Sequence, residues 1–457
     1  MLSQSYVKKN ISLAWPLALN GLLMQSMLMI DTLLVSPLGE IPLAAMGIAT
    51  TIIASILGIQ MALANGTQLV LSRAVGSGNR EALSKAFFSG MLINCAVAAL
   101  FWMLLTFFDR PLIELLTDNS ALHQEVVDYL TISKYIVLFT AITQVMIALF
   151  NGLGRTKVPF KGYLIELPVN ALLSYLLIHG FDTIGVLSFD GIGVQGAALG
   201  SIIAITVRLF YLALYMHFSK EIHMSAPAKN SSMINNIRNH FIEIFPIAAN
   251  VTILSIGIAV YQLLYSQLDI NAYVAITLVM PWIRAGMQFV AAWSHSSAIT
   301  ISQAIGSKKM ENLTRDVDAS INIAVVISIL CAFLFAAISL FIADIYPDLN
   351  ESTYQALAVI APLYIFLPIV RGYNTVHGNI LRALGKTTAV FKINFIGQWV
   401  ISIPLCAIII IGFDGSVFWA FAIQPFEEIV KAIPFRQLAR KSLLEFDLAK
   451  AEKLMYD

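Results

Sequence analysis

The chain alternates between long apolar runs and short polar stretches. Each apolar run reaches roughly 20 residues or more, the length an α-helix needs to cross a bilayer core of about 30 Å. The runs are apolar on all sides, which is typical of helices surrounded by lipid or by other apolar helices. The pattern predicts twelve helices, at 11–36, 43–71, 86–108, 127–150, 158–180, 192–218, 240–266, 272–300, 319–344, 354–381, 389–411 and 416–440.

The overall composition agrees with this pattern. Of the 457 residues, 58% are hydrophobic and only 12% are charged, whereas a soluble domain carries about 25% charged residues. The chain therefore has too little polar surface to coat a water-soluble globule, and we expect an all-α membrane protein. The net charge of +1 argues against a nucleic-acid partner. Enzyme motifs such as HExxH and GxSxG are absent from the sequence, so we predict no enzymatic activity, cofactor or metal.

Positive charge alternates from one inter-helix stretch to the next. Every second stretch is rich in Lys and Arg, and the stretches between them contain a single cation, Arg110, among many acids. Because loops on the cytoplasmic side carry the excess of Lys and Arg, this alternation supports twelve spans. It predicts a multi-pass protein of the cell inner (plasma) membrane with both termini cytoplasmic. The basic clusters lie at 73–85, 155–161, 220–238, 308–315, 382–392 and 436–453.

The sequence contains an internal duplication. The segment LSRAVGSGNREALSK at 71–85 aligns with ISQAIGSKKMENLTR at 301–315, an offset that also places Pro16 on Pro246. Because each half then holds an even number of helices, the halves share one orientation and are related by a pseudo-two-fold axis along the membrane normal. We predict two six-helix lobes, 1–218 and 240–457, joined by a cytoplasmic linker, 219–239. Two such lobes suit alternating access.

These motifs resemble the multidrug and toxic compound extrusion (MATE) transporters over essentially the whole chain. The resemblance rests on the order of Pro16, AVGSGN, NGLGRTKVP, LPVNALLSYLLIHG, GVQGAALGS and AIGSKK. The acid content of the two halves is most similar to the DNA-damage-inducible-type branch. The resemblance implies two lobes forming a V. It also implies export of amphipathic, often cationic compounds against an inward flow of H⁺ or Na⁺.

Asp31 is the main candidate for the coupling chemistry. It lies within the apolar run MLMIDTLLV, with no cation near it in the first predicted helix. An ionised carboxylate inside a membrane is costly, so such residues are rare and usually functional. Asp31 is therefore the predicted proton-coupling residue, and a structural hydrogen bond is the alternative. In the same helix, Pro16 leaves a carbonyl without its helical donor and is a predicted hinge.

Four polar residues are predicted to support Asp31, because they lie, as it does, in the outer half of the predicted first lobe: Asn170, Ser174, Tyr135 and Tyr129. In the family the fifth helix commonly reads Asn-x-x-x-Asp, and Asn170 fits that pattern. Ser174 stands where the acid is expected, so a scheme with two carboxylates is in doubt. Asn170 and Ser174 share one helix face, and ordinary polar contact between helices is their alternative role.

The second half lacks the acids of the sodium-coupled branch. The repeat places Tyr261 opposite Asp31, and Arg371 stands on the tenth helix where an acid would be expected. Since a Na⁺ site needs oxygen ligands and preferably negative charge, sodium binding there is disfavoured. The remaining charges within helices are predicted to form structural ion pairs, with substrate or gating contacts as the alternative: Glu166, Arg208, Arg284, Glu427, Glu428 and Arg371.

The sequence thus predicts a monomeric, secondary active multidrug efflux antiporter. It exports amphipathic or cationic compounds in exchange for protons, with small-molecule drugs, protons and membrane lipid as its partners. Two alternatives stay open. One is a lipid-linked saccharide flippase of the same superfamily, which Arg284 and Arg371 would suit. The other is a Na⁺-coupled drug antiporter.

Overall fold

The computed structural model describes residues 4–116, 120–183, 187–219, 222, 232–309 and 311–454. The long helices of the first half are α1 Gln4–Val35, α2 Glu40–Ser77, α3 Arg80–Phe107, α5 Ser120–Ser133, α6 Ile136–Gly152, α7 Lys157–His179 and α8 Val194–Phe218, with the short α4 Asp109–Leu116 after α3. Those of the second half are α9 Ser232–Tyr265, α10 Ile270–Gly306, α11 Leu313–Leu340, α13 Glu351–Ala383 and α16 Val417–Leu444. The shorter helices of this half are α12 Ile342–Ile345, α14 Thr387–Phe395, α15 Ile403–Ala407 and α17 Leu448–Lys453.

The predicted twelve-helix membrane fold is confirmed. Within the described residues, ten helices are long and apolar enough to cross a membrane, and α5 and α6 together form a further span bent by 41°. The helix α16 is long enough at 28 residues, but Glu427, Glu428 and Lys431 lower its apolar character. Lys431 is paired with both acids, so α16 is the twelfth membrane-spanning helix. The span at Thr387–Gly412 contains two π-helical stretches, Ile396–Ser402 and Ile408–Gly412.

One element is an addition to the all-α prediction. The strands β1 Gly180–Thr183 and β2 Leu187–Asp190 form an antiparallel hairpin between α7 and α8. Gly180 has φ +77°, and a Cβ there would lie 2.4 Å from the carbonyl oxygen of Phe189. The close approach of the two strands therefore requires glycine at this position.

The repeated AVGSGN motif ends one helix and begins the next. Gly78 adopts φ +69° as the C-cap of α2, and its N–H donates to the carbonyl of Val75. The side chain of Asn79 then accepts hydrogen bonds from the backbone N–H groups of Glu81 and Ala82 and caps α3. Capping of this kind satisfies backbone groups that a helix end leaves unpaired, so the motif has a structural role in the turn.

The chain forms two compact units. One unit contains Leu19–Ala248, and the other contains the residues before Leu19 together with those from Ala249 to Met455. The chain passes from one unit to the other just after each of the two repeat-related prolines, within α1 and within α9. About half of the predicted linker, 219–239, lies outside the described residues, and the predicted division stays a prediction.

Each unit contains its own apolar core. In the unit from Leu19 to Ala248, a buried cluster includes Val35, Tyr129 and Ala197. In the other unit, a buried cluster includes Tyr261 and Phe421. The first turns of α1 belong to the unit that contains Tyr261 and Phe421, and there the hydroxyl of Thr300 donates to Asn10 at 3.0 Å. The first turns of α9 belong to the unit from Leu19 to Ala248, and there His240 and Thr67 are hydrogen-bonded at 2.9 Å.

Candidate functional site

Asp31 lies near the end of α1 and is buried, with 8% of its surface exposed. Three side chains donate hydrogen bonds to its carboxylate. The hydroxyl of Ser174 reaches Oδ1 at 3.1 Å, the hydroxyl of Ser201 reaches Oδ2 at 3.2 Å, and the amide of Asn170 lies 3.4 Å from both oxygens. No cationic side chain lies within 4.0 Å of the carboxylate among the described residues. The carboxylate is therefore held by neutral donors alone.

The three donors come from two adjacent helices. Asn170 and Ser174 are four residues apart on α7, so they share a face, and the Ser174 hydroxyl also donates to the Asn170 carbonyl oxygen at 3.1 Å. Ser201 lies near the start of α8. Hydroxyl and amide groups can donate to an ionised carboxylate and can also accept from a protonated one. This polar cluster can therefore accommodate Asp31 in both protonation states.

Two glycines allow α8 to approach α7 at this cluster. A Cβ at Gly200 would lie 2.6 Å from the Ser174 hydroxyl and 2.8 Å from its backbone nitrogen. One turn earlier, a Cβ at Gly196 would lie 2.5 Å from the carbonyl carbon of Leu177. Small residues at this spacing let helix backbones pack closely in membranes. The glycines of the GVQGAALGS motif therefore position Ser201 and Ser174 around Asp31.

We expect Gly200→Ala to impair the site through this packing. The added methyl group meets backbone atoms of α7, which cannot turn aside as a flexible side chain would, so the two helices must separate. Overpacking of this kind costs about 1–3 kcal/mol, and we expect a lower melting temperature together with reduced efflux. Thermal unfolding and dye efflux measure both effects.

Gly47→Ala in α2 is the matched control, because no atom lies within 4 Å of a Cβ there. Wild-type stability and efflux in Gly200→Ala would contradict the assignment of a packing role to this glycine.

The two tyrosines predicted to support Asp31 are placed differently. Tyr129 is buried, with 3% of its surface exposed, and lies within electrostatic range of Asp31. Tyr135 is 41% exposed and its ring lies 5.9 Å from that of Trp102. The reason is the break between α5 and α6 at residues 134 and 135, which directs Tyr135 toward α3. The structure brings Asp31, Asn170 and Ser174 together but leaves Tyr135 outside the cluster.

Pro16, the predicted hinge, is buried in the interior of α1. Its ring nitrogen cannot donate to the carbonyl of Ser12, so the helix lacks one internal hydrogen bond there. The chain passes between the two compact units two residues later. Pro246 has the equivalent position in α9.

Glu166 and Arg208 form a buried ion pair between α7 and α8. The Arg208 guanidinium reaches the Glu166 carboxylate at 2.5 Å, and 4% and 5% of these side chains are exposed. The guanidinium also lies 4.3 Å from the centre of the Tyr163 ring and 3.4 Å from the Thr143 hydroxyl. Close pairing and a cation–π contact offset the cost of burying both charges. Glu166 therefore forms a structural ion pair with Arg208.

The second half contains its own charged cluster. Tyr261, the repeat equivalent of Asp31, donates its hydroxyl to Glu427 at 2.6 Å. Lys431 lies 2.8 Å from Glu427 and 3.3 Å from Glu428, and Arg371 lies 3.1 Å from Glu428. Two carboxylates are thereby neutralised by two cations.

The ion pair predicted for Arg284 is not formed, since no carboxylate lies within 4.0 Å of it among the described residues. The physical reason is the position of Lys431. It lies one helical turn beyond Glu427 and three residues beyond Glu428, so it binds both acids without leaving α16.

Sequence reasoning missed two members of these clusters. Ser201 is the last residue of the GVQGAALGS motif, and its position beside the paired glycines was the available signal. Lys431 follows Glu427 at the i,i+4 spacing of a helical ion pair, which was the signal for it.

No group of three or more His, Cys, Asp or Glu side chains that could hold a metal ion occurs in the part of the chain that the structure describes.

Comparisons with known proteins agree with this architecture. The family model MatE matches residues 16–176 and again 246–408, and the two matches begin at the repeat-related prolines. The probable multidrug resistance protein NorM of Rhizobium meliloti (strain 1021) is 23% identical over 418 residues, which cover 85% of this chain and 84% of that protein. The uncharacterized transporter YisQ of Bacillus subtilis (strain 168) is 24% identical over 427 residues, 89% of each chain.

A solved structure shows the same fold. The bent form of the Vibrio cholerae MATE transporter VcmN superimposes with a TM-score of 0.85 at 20% sequence identity, and covers 97% of this chain and 99% of its own. The family model accounts for well over half of the residues here, in two copies that follow the internal repeat. The chain therefore belongs to the MatE family and is a membrane transporter, not an enzyme.

Proposed function

We propose that this protein is a multidrug efflux antiporter that exports amphipathic, often cationic compounds in exchange for protons. The observation that carries the proposal is the buried carboxylate of Asp31, which has neutral hydrogen-bond donors and no cation within 4.0 Å among the described residues. Relatives described as probable multidrug resistance proteins support the drug-export part. By this proposal the protein contributes to antibiotic resistance in its host.

Asp31 can couple the two fluxes because it binds a proton or attracts a cation, but not both. The ionised form attracts a cationic drug and accepts from Ser174, Ser201 and Asn170. The protonated form loses that charge, and its hydrogen bonds rearrange. An antiporter needs two ligands that exclude each other or that favour opposite conformations. Protonation of Asp31 meets this requirement with one residue.

The second half is a poor sodium site. Its two membrane carboxylates, Glu427 and Glu428, are already engaged by Lys431 and Arg371, so the negative charge that a Na⁺ site favours is compensated. The part of α9 from Ala249 to Tyr265 contains no acid, and the one acid of α13, Glu351, lies in its first turn. The carboxylates of α16 occupy that region in a neutralised form.

The orientation in the membrane follows from the charge alternation. We infer that both termini are cytoplasmic, that the protein resides in the inner (plasma) membrane, and that it acts as a monomer. Protons then enter from the outer side and drug leaves to it.

A lipid-linked saccharide flippase is the second candidate, because such a transporter favours a cationic cavity that holds pyrophosphate. Arg371, however, is bound to Glu428 and to the side chain of Gln424 at 3.0 Å. Of these two arginines, only Arg284 has no carboxylate within 4.0 Å among the described residues, which weakens the case for a site in which both bind a pyrophosphate. Drug resistance conferred on a strain without its own pumps separates the two candidates.

We expect transport to follow the proton gradient and not the sodium gradient. Purified protein in proteoliposomes is assayed with ethidium under an imposed pH difference, in sodium buffer and in potassium buffer. The rate should fall to background when the pH difference is removed, and should be the same in both buffers. Strict dependence on sodium would refute proton coupling. Asp31→Asn in the same liposomes gives the background rate.

A further inference from the structure

The unit that contains α10, α13 and α16 encloses a cavity of about 360 Å³. One part of its wall is apolar, with Leu254, Ile258, Met280 and Ile283. Another part is formed by charged side chains of α10, α13 and α16. The cavity thus offers an apolar surface next to a charged one, as ligand pockets for amphipathic compounds do.

The charges that line the cavity do not balance. Four cations, Arg284, Arg371, Arg382 and Lys431, face two carboxylates, Glu427 and Glu428, so four minus two leaves a formal charge of +2. Both carboxylates are already in use. Glu427 accepts from Tyr261 and Lys431, and Glu428 accepts from Arg371 and from Asn374 at 2.8 Å.

Two guanidinium groups are left without an acid. Arg284 and Arg382 have no carboxylate within 4.0 Å among the described residues, and Arg382 donates only to the side-chain oxygen of Asn379 at 3.4 Å. Arg284 is exposed at the cavity wall beside Met280 and Ile283. Cations within membrane helices usually pair or mark a substrate pathway. An uncompensated guanidinium beside an apolar wall therefore suits an anionic group on an apolar body.

We propose that this cavity is a second substrate site that takes an amphipathic anion, with its carboxylate or sulfonate bound by Arg284 and its apolar body against Leu254, Ile258 and Met280. The inference rests on the proposed function as a transporter of amphipathic compounds and extends its substrate class to anions. It does not involve Asp31, which lies in the other unit. Lys431 and Arg371 neutralise Glu427 and Glu428, the two acids of the cavity wall, so these acids do not repel an anion.

Three probes with one apolar body test the charge preference: 2-naphthoate, neutral 2-naphthamide and cationic 2-naphthylmethylammonium. Binding of tritiated 2-naphthoate is measured by scintillation proximity on purified protein in phosphatidylcholine nanodiscs, with the other two as competitors. We expect 2-naphthoate to bind at least about tenfold more tightly than 2-naphthamide, since a hydrogen bond to a charged group contributes that much or more. The ammonium probe should compete most weakly.

Arg284→Gln should remove the preference for 2-naphthoate over 2-naphthamide, and Arg284→Lys should retain part of it. Arg80→Gln is the matched control, because it removes one exposed positive charge outside the cavity, and it should bind like the wild type. Equal affinity of the wild type for 2-naphthoate and 2-naphthamide would overturn the proposal. An unchanged preference in Arg284→Gln would also overturn it.

The two proposals fail in distinguishable ways. If ethidium is exported with the proton gradient but 2-naphthoate shows no preference, only the anion site is refuted. If 2-naphthoate binds with the expected preference but ethidium is not exported, only the proposed efflux of cations is refuted.

Discussion

Asp31→Asn should abolish drug efflux while the protein still folds and inserts. Asparagine keeps the shape of the side chain and accepts hydrogen bonds through one oxygen, but it cannot bind or release a proton. Without that step, proton entry no longer drives export, and efflux of ethidium from cells without other pumps should fall to the level of cells that lack the protein. Equal expression and an unchanged size-exclusion profile establish that the fold is retained.

Two variants serve as controls for this prediction. Asp31→Glu keeps a carboxylate and should retain part of the activity. Ser201→Ala removes one hydrogen bond at 3.2 Å and should reduce the rate without abolishing it. If Asp31→Asn exports drug as well as the wild type does, the proton is carried elsewhere. Glu166 would then be the next candidate, although it is paired with Arg208 in this structure.

Arg208→Met should destabilise the protein strongly. The substitution leaves the Glu166 carboxylate buried at 5% exposure without its cation, and removal of one partner of a buried pair typically costs about 3–5 kcal/mol. The contact with Tyr163 is lost as well. We expect a clearly lower melting temperature in detergent. It is measured as the amount of intact protein that still elutes from a size-exclusion column after heating.

The double variant Glu166→Gln/Arg208→Met isolates the cost of the unpaired charge. It removes both charges, so it should melt closer to the wild type than Arg208→Met does. If the double variant melts as low as Arg208→Met, the loss comes from packing against Tyr163 and not from the buried carboxylate.

The fold was predictable because apolar runs, positive charge and the internal repeat are all properties of the sequence itself. The twelve spans follow from them, and the repeat is matched twice by one family model. The hairpin at residues 180–190 was not predictable, since it depends on the approach of two short strands at Gly180. The passage of the chain between the two units within α1 and α9 was not predictable either. It depends on contacts between residues that are far apart in sequence, such as Asn10 and Thr300.

The candidate site was predictable in part. Depth along the helices placed Asp31, Asn170 and Ser174 in the outer half of the first lobe, but depth does not give the direction of a side chain. Tyr135 has a suitable depth and points to Trp102 because the helix is broken beside it. Ser201 was missed because its role depends on how closely α8 packs against α7, which Gly196 and Gly200 determine.

The two halves of the repeat have diverged at equivalent positions. Asp31 in α1 corresponds to Tyr261 in α9, yet the hydroxyl of Tyr261 binds a carboxylate supplied by α16. The first half thus has one acid, Asp31, without a cation, and the second half has two acids paired with cations and two arginines, Arg284 and Arg382, without an acid among the described residues. The proton site proposed for one half and the anion site proposed for the other rest on this difference.

The most direct measurement is of the protons released when drug binds to the purified protein. In weakly buffered solution with a pH indicator, ethidium should displace the proton from Asp31, so the wild type should release up to about one proton per bound drug, as expected for ligands that exclude each other. Asp31→Asn should release none. Equal release by both proteins, or drug binding to the wild type without any release, would contradict a coupling role for Asp31.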